Sequence, residues 1–237
     1  MRARWLLVGL VFLCAACELR MEVEAAFDRG GGGRLHVALT ADGELVERAR
    51  AAGATPLDDL VATGQELGGG WRVDDTIDDE GGREVRLSVG FGGPEEFNRL
   101  AGEVSEALAA PELELLGPLE AHLTDDRLVV EGTAALQPTE QVAELGLTPQ
   151  EAVTLLRDEG AFIYEIHVAA PGEVLETTGE QRGEDVLTWT VAPGEQVDIR
   201  AVAQRPGRPV WPLAVGGVAG VLFAALVLRR ALVIRRR

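Results

Sequence analysis

The residues of this chain that could do chemistry are few, and their spacing fits none of the common catalytic sites. Three histidines lie far apart in the sequence, so a metal site or an acid–base pair would need the fold to bring them together: His36, His122 and His167. The only two serines, Ser88 and Ser105, lack the glycine-flanked pattern of a nucleophile elbow. The only two cysteines, Cys14 and Cys17, stand near the amino terminus. The sequence therefore predicts no catalytic residue, no cofactor and no enzyme activity.

The densest group of possible metal ligands is an acidic stretch formed by Asp74, Asp75, Asp78, Asp79 and Glu80. An EF-hand needs carboxylates at alternating positions, a central glycine and a closing glutamate. Here the acids stand in adjacent pairs, and the two glycines that follow them are typical of a hairpin turn. The sequence therefore predicts a solvated turn at this place and no metal site.

Cys17 has the most specific surroundings of any residue in the chain. Residues 2–13 combine two arginines with an apolar run, and small residues follow, as in an export signal. A cysteine directly after two alanines resembles the lipobox of bacterial lipoproteins, although Cys14 stands where that motif usually has an aliphatic residue. The resemblance implies that residues 1–16 are removed and that the Cys17 thiol receives a diacylglycerol, with acyl chains such as palmitate. The alternative is an ordinary cleaved signal in which Cys17 has no role.

The carboxyl-terminal end carries a second predicted membrane attachment. Residues 209–228 contain no charged residue, and at ~1.5 Å per residue a helix of this length crosses the hydrocarbon core of a bilayer. The tail at residues 229–237 is rich in arginine, which predicts a cytoplasmic carboxyl terminus by the positive-inside rule. Residues 205–208 would then form a short tether, and residues 17–204 an extracytoplasmic domain at the cell membrane.

The predicted extracytoplasmic part is strongly acidic and has no disulfide. All 39 acids but only 15 of the 22 arginines lie within residues 18–208, which gives this part a formal charge of −24 against −17 for the whole chain. Such a charge repels nucleic acid and excludes it as a partner. Because no cysteine pair is available, packing alone must stabilise the domain, and its length is sufficient for a core.

Patterns of apolar residues predict an α+β domain with a mainly antiparallel sheet and packed helices, followed by one carboxyl-terminal transmembrane helix. Strands are predicted over residues 19–27, 35–39, 71–77, 85–91, 162–168, 173–177, 185–191 and 196–203, with two more within 112–136. Helices are predicted to begin at Thr55-Pro56, with Thr55 as the cap, at Gly93-Pro94, and at Thr148-Pro149, where Thr148 and Glu151 form a capping box. Pro193-Gly194 is predicted to turn a final hairpin.

The stretch from His167 to Gly179, together with the strand from Asp185 to Trp189, resembles the carboxyl-terminal half of the LppM domain. A Pro-Gly-x-Val strand recurs in that family and corresponds here to Pro171 to Val174. Thr178 stands where an asparagine is usual in the following turn. The order of signal, domain, span and arginine tail also agrees with the family. The resemblance implies an α+β envelope lipoprotein able to bind lipids, and it brings no catalytic residues.

Two functions remain open at this point. The first is a non-catalytic envelope lipoprotein whose sheet and helices form a groove for a lipid or glycolipid. The alternative is an acidic, membrane-tethered module that binds a basic envelope protein and releases it in salt. A hydrolase would require a pocket in which His122 or His167 meets a carboxylate and a water. In both favoured cases the membrane is a partner through Cys17 and the carboxyl-terminal helix.

Overall fold

The computed structural model describes residues 18–51, 53–109, 113–124, 126–158, 162–183 and 185–205. Within them the chain forms two β-sheets and four α-helices, so the α+β prediction is confirmed. Cys17 and the predicted signal, membrane span and arginine tail lie outside the described residues, as do residues 206–208 of the predicted tether. No helix among the described residues is long and apolar enough to cross a membrane.

The elements follow the chain in two β-hairpins with helices, then a longer hairpin, then a run of shorter strands. Their bounds are β1 Leu19–Phe27, β2 Gly33–Ala41, α1 Gly43–Ala51, α2 Pro56–Leu67, β3 Arg72–Ile77, β4 Arg83–Phe91, α3 Pro94–Leu108, β5 Leu113–Leu123, β6 Arg127–Pro138, a 3-10 helix Glu140–Leu145, α4 Pro149–Asp158, β7 Phe162–Ala169, β8 Val174–Thr177, β9 Glu180–Arg182, β10 Val186–Val191 and β11 Gln196–Gln204. The predicted strands and the three predicted helices all form.

Helix α1, the 3-10 helix and strand β9 were not predicted. The signal for α1 is Asp42, whose carboxylate accepts a hydrogen bond from the Leu45 N–H at 2.7 Å and so caps the helix. At α2 the predicted cap is wrong in detail, because the Thr55 side chain makes no capping hydrogen bond. At α4 the predicted capping box is present, with the Thr148 N–H donating to Glu151 Oε2 at 2.8 Å and the Glu151 N–H donating to Thr148 Oγ1 at 3.2 Å.

The strands divide between two sheets rather than one. The seven-stranded sheet has the order β3-β4-β2-β1-β7-β10-β9, and the four-stranded sheet has the order β5-β6-β11-β8. Pairing is antiparallel except between β1 and β7, which run parallel. The predicted hairpin at Pro193-Gly194 is therefore wrong, since β10 and β11 belong to different sheets. The Gly194 N–H donates to the carbonyl of Leu136 at 2.7 Å, so this turn is hydrogen-bonded to β6 of the second sheet. The chain crosses from the first sheet to the second at this turn.

The two faces of the seven-stranded sheet differ in kind. On its inner face, alternate residues such as Val23, Leu87 and Ile166 are at most 1% exposed. They form one apolar core with residues of α1, α2, α3 and the four-stranded sheet. Phe97 of α3 enters this core between Phe27 and Phe91, with ring centroids 5.0 and 5.2 Å away. Along each strand, the residues that alternate with these inner-face residues point to the opposite side of the sheet, which we call the outer face.

Two hairpins of this sheet close with the same aspartate-centred turn. Asp28 Oδ1 accepts hydrogen bonds from the N–H groups of Gly30 and Gly32 at 2.6 and 3.0 Å. Asp78 Oδ1 accepts from the N–H groups of Glu80 and Gly82 at 2.9 and 2.8 Å. In each turn the fourth residue is a glycine with φ of 85° (Gly31 and Gly81), a conformation that other residues adopt at a cost. Local sequence thus builds both turns.

Helix α3 covers an edge of the four-stranded sheet. The Asn98 side chain donates to the carbonyl of Ala121 at 3.2 Å and accepts from its N–H at 2.6 Å. The Ser105 hydroxyl donates to the carbonyl of Leu116 at 2.6 Å. These bonds satisfy backbone groups on the free side of β5, so the edge is closed to further strands.

Candidate functional site

The described chain begins directly beside the predicted lipid attachment residue. The Glu18 N–H donates to Asp42 Oδ2 at 2.6 Å, and the Asp42 N–H donates to the Glu18 carbonyl at 3.3 Å. Strand β1 then starts at Leu19. A lipid on Cys17 would therefore be joined to the folded domain without any intervening linker.

Arg205, the last described residue, lies beside the opposite end of β1. The Arg205 N–H donates to the carbonyl of Asp126 at 2.7 Å, and Arg205 Nε donates to the carbonyl of Arg29 at 3.0 Å. Arg29 lies in the Asp28 turn, just after β1 ends at Phe27. The two chain ends that lead to the predicted attachments are thus at the two ends of the same central strand.

The acidic stretch predicted to be a solvated turn is a turn and its adjoining strand. Asp78 is used by the turn itself, as described above. Asp75 pairs with Arg83, whose Nη2 lies 2.9 Å from Asp75 Oδ2, and Arg83 also contacts Asp58 of α2 at 2.7 Å. The hydrogen bond from Arg83 lowers the pKa of Asp75. Asp75 and Asp78 therefore bind neighbouring protein groups, as expected of a structural turn.

The three histidines do not converge. His122 lies on β5 with its side chain 58% exposed, 3.5 Å from Glu120. His36 and His167 both lie on the outer face, on either side of Glu24, one on β2 and the other on β7. Ser88 stands opposite His36 on β4. Neither the serines nor the histidines form a nucleophile–base pair with one another among the described hydrogen bonds.

One cluster on the outer face brings together groups that sequence reasoning did not combine. Glu22, Glu165 and His167 hold oxygen and nitrogen atoms within 4.8 Å of one another. Glu165 is 8% exposed, and its nearest cations are Arg182 Nη2 at 3.5 Å and Arg20 Nη1 at 3.8 Å. Two arginines thus already supply the countercharge that a metal would bring, so we describe this cluster as an ion-pair network.

His167 is oriented within that network by its neighbour on β10. Its Nδ1 lies 3.1 Å from the hydroxyl oxygen of Thr188, a residue only 2% exposed, and its Nε2 lies 3.8 Å from Glu165 Oε2. The signal that could have located this cluster is the polar alternation of β1 and β7, but its members meet only because the two strands pair in parallel.

A groove of about 530 Å³ opens at the start of α3. Its lining combines apolar and polar residues from α3 and β5, including Gly93, Pro94, Glu95, Ala121, His122 and Leu123. Gly31 of the Asp28 turn adjoins it, since a Cβ built at that position would lie 2.8 Å from Leu123 Cδ2. The groove is therefore at the Arg205 end of β1.

The residues of the motif at 167–189 meet at a corner between the two sheets. The Trp189 indole N–H donates to Thr178 Oγ1 at 3.0 Å, and this hydroxyl donates to the carbonyl of Asp198 at 2.7 Å. A Cβ built on Gly179 would lie 2.5 Å from the Trp189 ring, so glycine is required there. The motif thus has a structural role, because it ties β10 of one sheet to β11 of the other.

Comparison with known proteins agrees with this architecture. The chain belongs to the LppM family, because the LppM domain matches residues 32–205. It is accordingly a lipoprotein-type, membrane-associated envelope protein.

Among solved structures, the NMR structure of the folded domain of LppM from Mycobacterium tuberculosis is similar to this one. It has a TM-score of 0.50 and 16% sequence identity, over 84% of this chain and 94% of that domain. At that identity the likeness shows the fold alone. No curated protein matches the chain.

Proposed function

We propose that this protein is a non-catalytic lipoprotein that binds a lipid or glycolipid in the groove at the start of α3. Under this proposal it is attached to the cell membrane by a lipid on Cys17 and by a helix over residues 209–228. The observation that carries the ligand proposal is the groove itself. Its volume of about 530 Å³ is within the range of roughly 300–1,000 Å³ that is usual for small-molecule sites.

The chemistry of the groove suits an amphiphile. Pro94, Ala121 and Leu123 offer apolar surface, while Glu95 and His122 offer polar groups that can bond to hydroxyls of a sugar or glycerol. Its place at the Arg205 end of the domain would put it near the predicted start of the membrane span. A lipid headgroup could then enter without leaving the membrane environment.

Gly93 allows this proposal to be tested without disturbing the fold. Its backbone is extended (φ 180°), and a Cβ built there meets no atom within 4 Å. A Gly93→Trp substitution should therefore place an indole in the groove at little steric cost. The matched control is Gly102→Trp, at an exposed position of α3 where a Cβ also meets nothing within 4 Å.

The measurement is lipid bound to the full-length protein after purification in mild detergent, identified and counted by native mass spectrometry. We expect bound lipid with the unsubstituted protein and with Gly102→Trp, and its loss with Gly93→Trp. Equal lipid content in all three would overturn the assignment of the groove. The attachments are tested separately, by the mass of the processed amino terminus in Cys17→Ser and by protease protection of a carboxyl-terminal tag.

The alternative function, binding of a basic envelope protein, has support from the β3–β4 hairpin. Ile77 is 70% exposed there and directly precedes the acids Asp78 and Asp79. An exposed apolar residue next to acids suits a basic partner with an apolar contact. Under this alternative, Ile77→Ser would abolish salt-sensitive crosslinking to an envelope protein, whereas Gly93→Trp would leave it unchanged.

A further inference from the structure

We propose that the outer face of the seven-stranded sheet lies against the surface of the bilayer, with β1 nearly parallel to the membrane plane. This inference rests on the two membrane attachments of the proposed function, and it is independent of the groove and its ligand. Its partner is the phospholipid headgroup layer of the membrane that holds both attachments.

The first step is the distance between the two chain ends. Glu18 lies at the beginning of β1 and Arg205 is hydrogen-bonded to Arg29, just beyond its end. From Leu19 to Phe27 a strand at about 3.3 Å per residue covers roughly 26 Å. The lipid and the membrane helix therefore leave the domain at points separated by about the length of β1.

The second step is the reach of the chain at each end. Cys17 is bonded directly to Glu18, so that end must lie at the membrane surface. From Arg205 to Pro209, where the predicted span begins, the chain can cover at most about 14 Å. The two ends of a strand of roughly 26 Å can thus differ in height by only about 14 Å, which limits the tilt of β1 from the membrane plane to about 30°. A domain standing upright on Cys17 would place Arg205 too far from the bilayer.

The third step is the choice of face. The register places five arginines on the outer face, namely Arg20, Arg34, Arg72, Arg86 and Arg182. It places six acids there, namely Glu22, Glu24, Asp74, Glu84, Glu165 and Glu180. The formal charge of these strand residues is therefore −1, and Glu18, whose carboxylate binds Arg20 at 3.0 Å, adds one negative charge at the end of the face.

Position and charge together favour the outer face for contact with the membrane. Anionic headgroups repel an acidic surface within a Debye length, which is about 8 Å at physiological salt. On the outer face the arginines nearly balance the acids, so this repulsion is weak there. The inner face is covered by helices and the second sheet, whereas Arg34 and Arg72 on the outer face are exposed and can bind lipid phosphates.

The chain suits a direct measurement, because residues 18–237 contain no cysteine. Single cysteines would be introduced into the full-length protein at Ser88 and Thr190 on the outer face, at Arg29 in the turn beyond β1, and at Glu106 on the exposed side of α3. Each is labelled with a fluorophore and reconstituted in nanodiscs of phosphatidylcholine and phosphatidylglycerol. Quenching by a headgroup-labelled lipid then reports distance from the surface.

We expect strong quenching at Ser88→Cys, Thr190→Cys and Arg29→Cys, and little at Glu106→Cys. An unquenched Arg29 label would mean an upright domain, and quenching at Glu106 above that at Ser88 would mean that another side faces the lipid. Either result overturns the inference. The acyl mass on Cys17 and the protection of the carboxyl-terminal tag are measured on the same samples. Absence of either attachment overturns the proposed function as well, whereas both attachments with an unquenched Arg29 label overturn this inference alone.

A charge substitution tests the choice of face. Arg34→Glu makes the outer face more acidic, and Arg99→Glu makes the same change in charge on α3. We expect Arg34→Glu to reduce quenching at Ser88→Cys in nanodiscs with phosphatidylglycerol, and Arg99→Glu to leave it unchanged. Loss of the same size with both variants would show that only net charge matters, and would contradict contact through the outer face.

Discussion

The two faces of the seven-stranded sheet are built from the same strands but are held by different forces. Inner-face residues such as Val23 and Ile166 are 1% exposed and belong to one apolar core. Between them in the alternation, Arg20 and Glu22 have side chains 41% and 33% exposed and form ion pairs. Exposed ion pairs contribute little to stability, whereas each buried apolar side chain contributes about 1.5–3 kcal/mol. The inner face therefore maintains the fold, and the outer face is available for contact with a partner.

The largest expected effect is on the inner side of the sheet, at Phe97. Its side chain is fully buried between Phe27 and Phe91, so Phe97→Ala should leave a cavity and lower the free energy of unfolding by about 3–5 kcal/mol. Urea denaturation measures this. The control Leu175→Ala, at a position 47% exposed, should change stability by less than about 0.5 kcal/mol. Similar losses in both variants would contradict the division between core and surface.

A smaller effect is expected where the inner face meets the second sheet. Thr178→Val removes the acceptor of the Trp189 indole N–H and the donor to the Asp198 carbonyl. Leaving these groups unpaired should cost about 1–3 kcal/mol in urea denaturation. Thr178→Ser keeps the hydroxyl and should retain most of the stability. If valine and serine behaved alike, the hydroxyl would have no part in joining the sheets.

The alternation in the sequence was enough to find these faces but not their arrangement. Leu19 to Phe27 predicted a half-buried strand, and the structure has β1 over the same residues. The pairing of β1 with β7 could not be predicted, because it joins residues about 140 positions apart and leaves no local signal. The Glu165 network depends on that pairing. The division into two sheets was missed because a Pro-Gly turn looks the same in a hairpin and in a crossing between sheets.

One inner-face residue breaks the rule that buried polar groups are bonded. Tyr164 is fully buried, its hydroxyl has no partner among the described residues, and burial raises its pKa. Tyr164→Phe keeps the ring and removes the unpaired group, so we expect unchanged or higher stability, by up to about 1 kcal/mol. Urea denaturation measures this change, and the loss of stability in Thr178→Val is the comparison. A loss from Tyr164→Phe would instead reveal a bonded water at this hydroxyl.

On the outer face, His36 should make stability depend on pH. Burial lowers its pKa below the usual 6.5, against the opposing effect of Glu24 and with smaller contributions from Arg86, Arg34 and Asp74. The unfolded chain therefore takes up a proton before the folded one as the pH falls below 6.5, and the free energy of unfolding decreases. His36→Gln should flatten this decrease between pH 7.5 and 5. The exposed His122→Gln is the control, and an equal flattening there would contradict the assignment to His36.

The smallest expected change in the free energy of unfolding is at Glu22 on the outer face. Unlike the losses expected on the inner face, it should be a gain. Glu22 lies directly opposite Glu165 across β1 and β7, and like charges at such positions repel each other. Glu22→Gln should therefore raise the free energy of unfolding by a few tenths of a kcal/mol, as measured by urea denaturation at low salt. Glu165→Gln should lower it, because that carboxylate is 8% exposed and its ion pairs with Arg182 and Arg20 would be lost. Both substitutions change the formal charge of the outer face by the same amount. Net charge therefore cannot explain opposite changes in the free energy of unfolding. If both variants lost stability, the ion pair between Glu22 and Arg20 would outweigh the repulsion between Glu22 and Glu165.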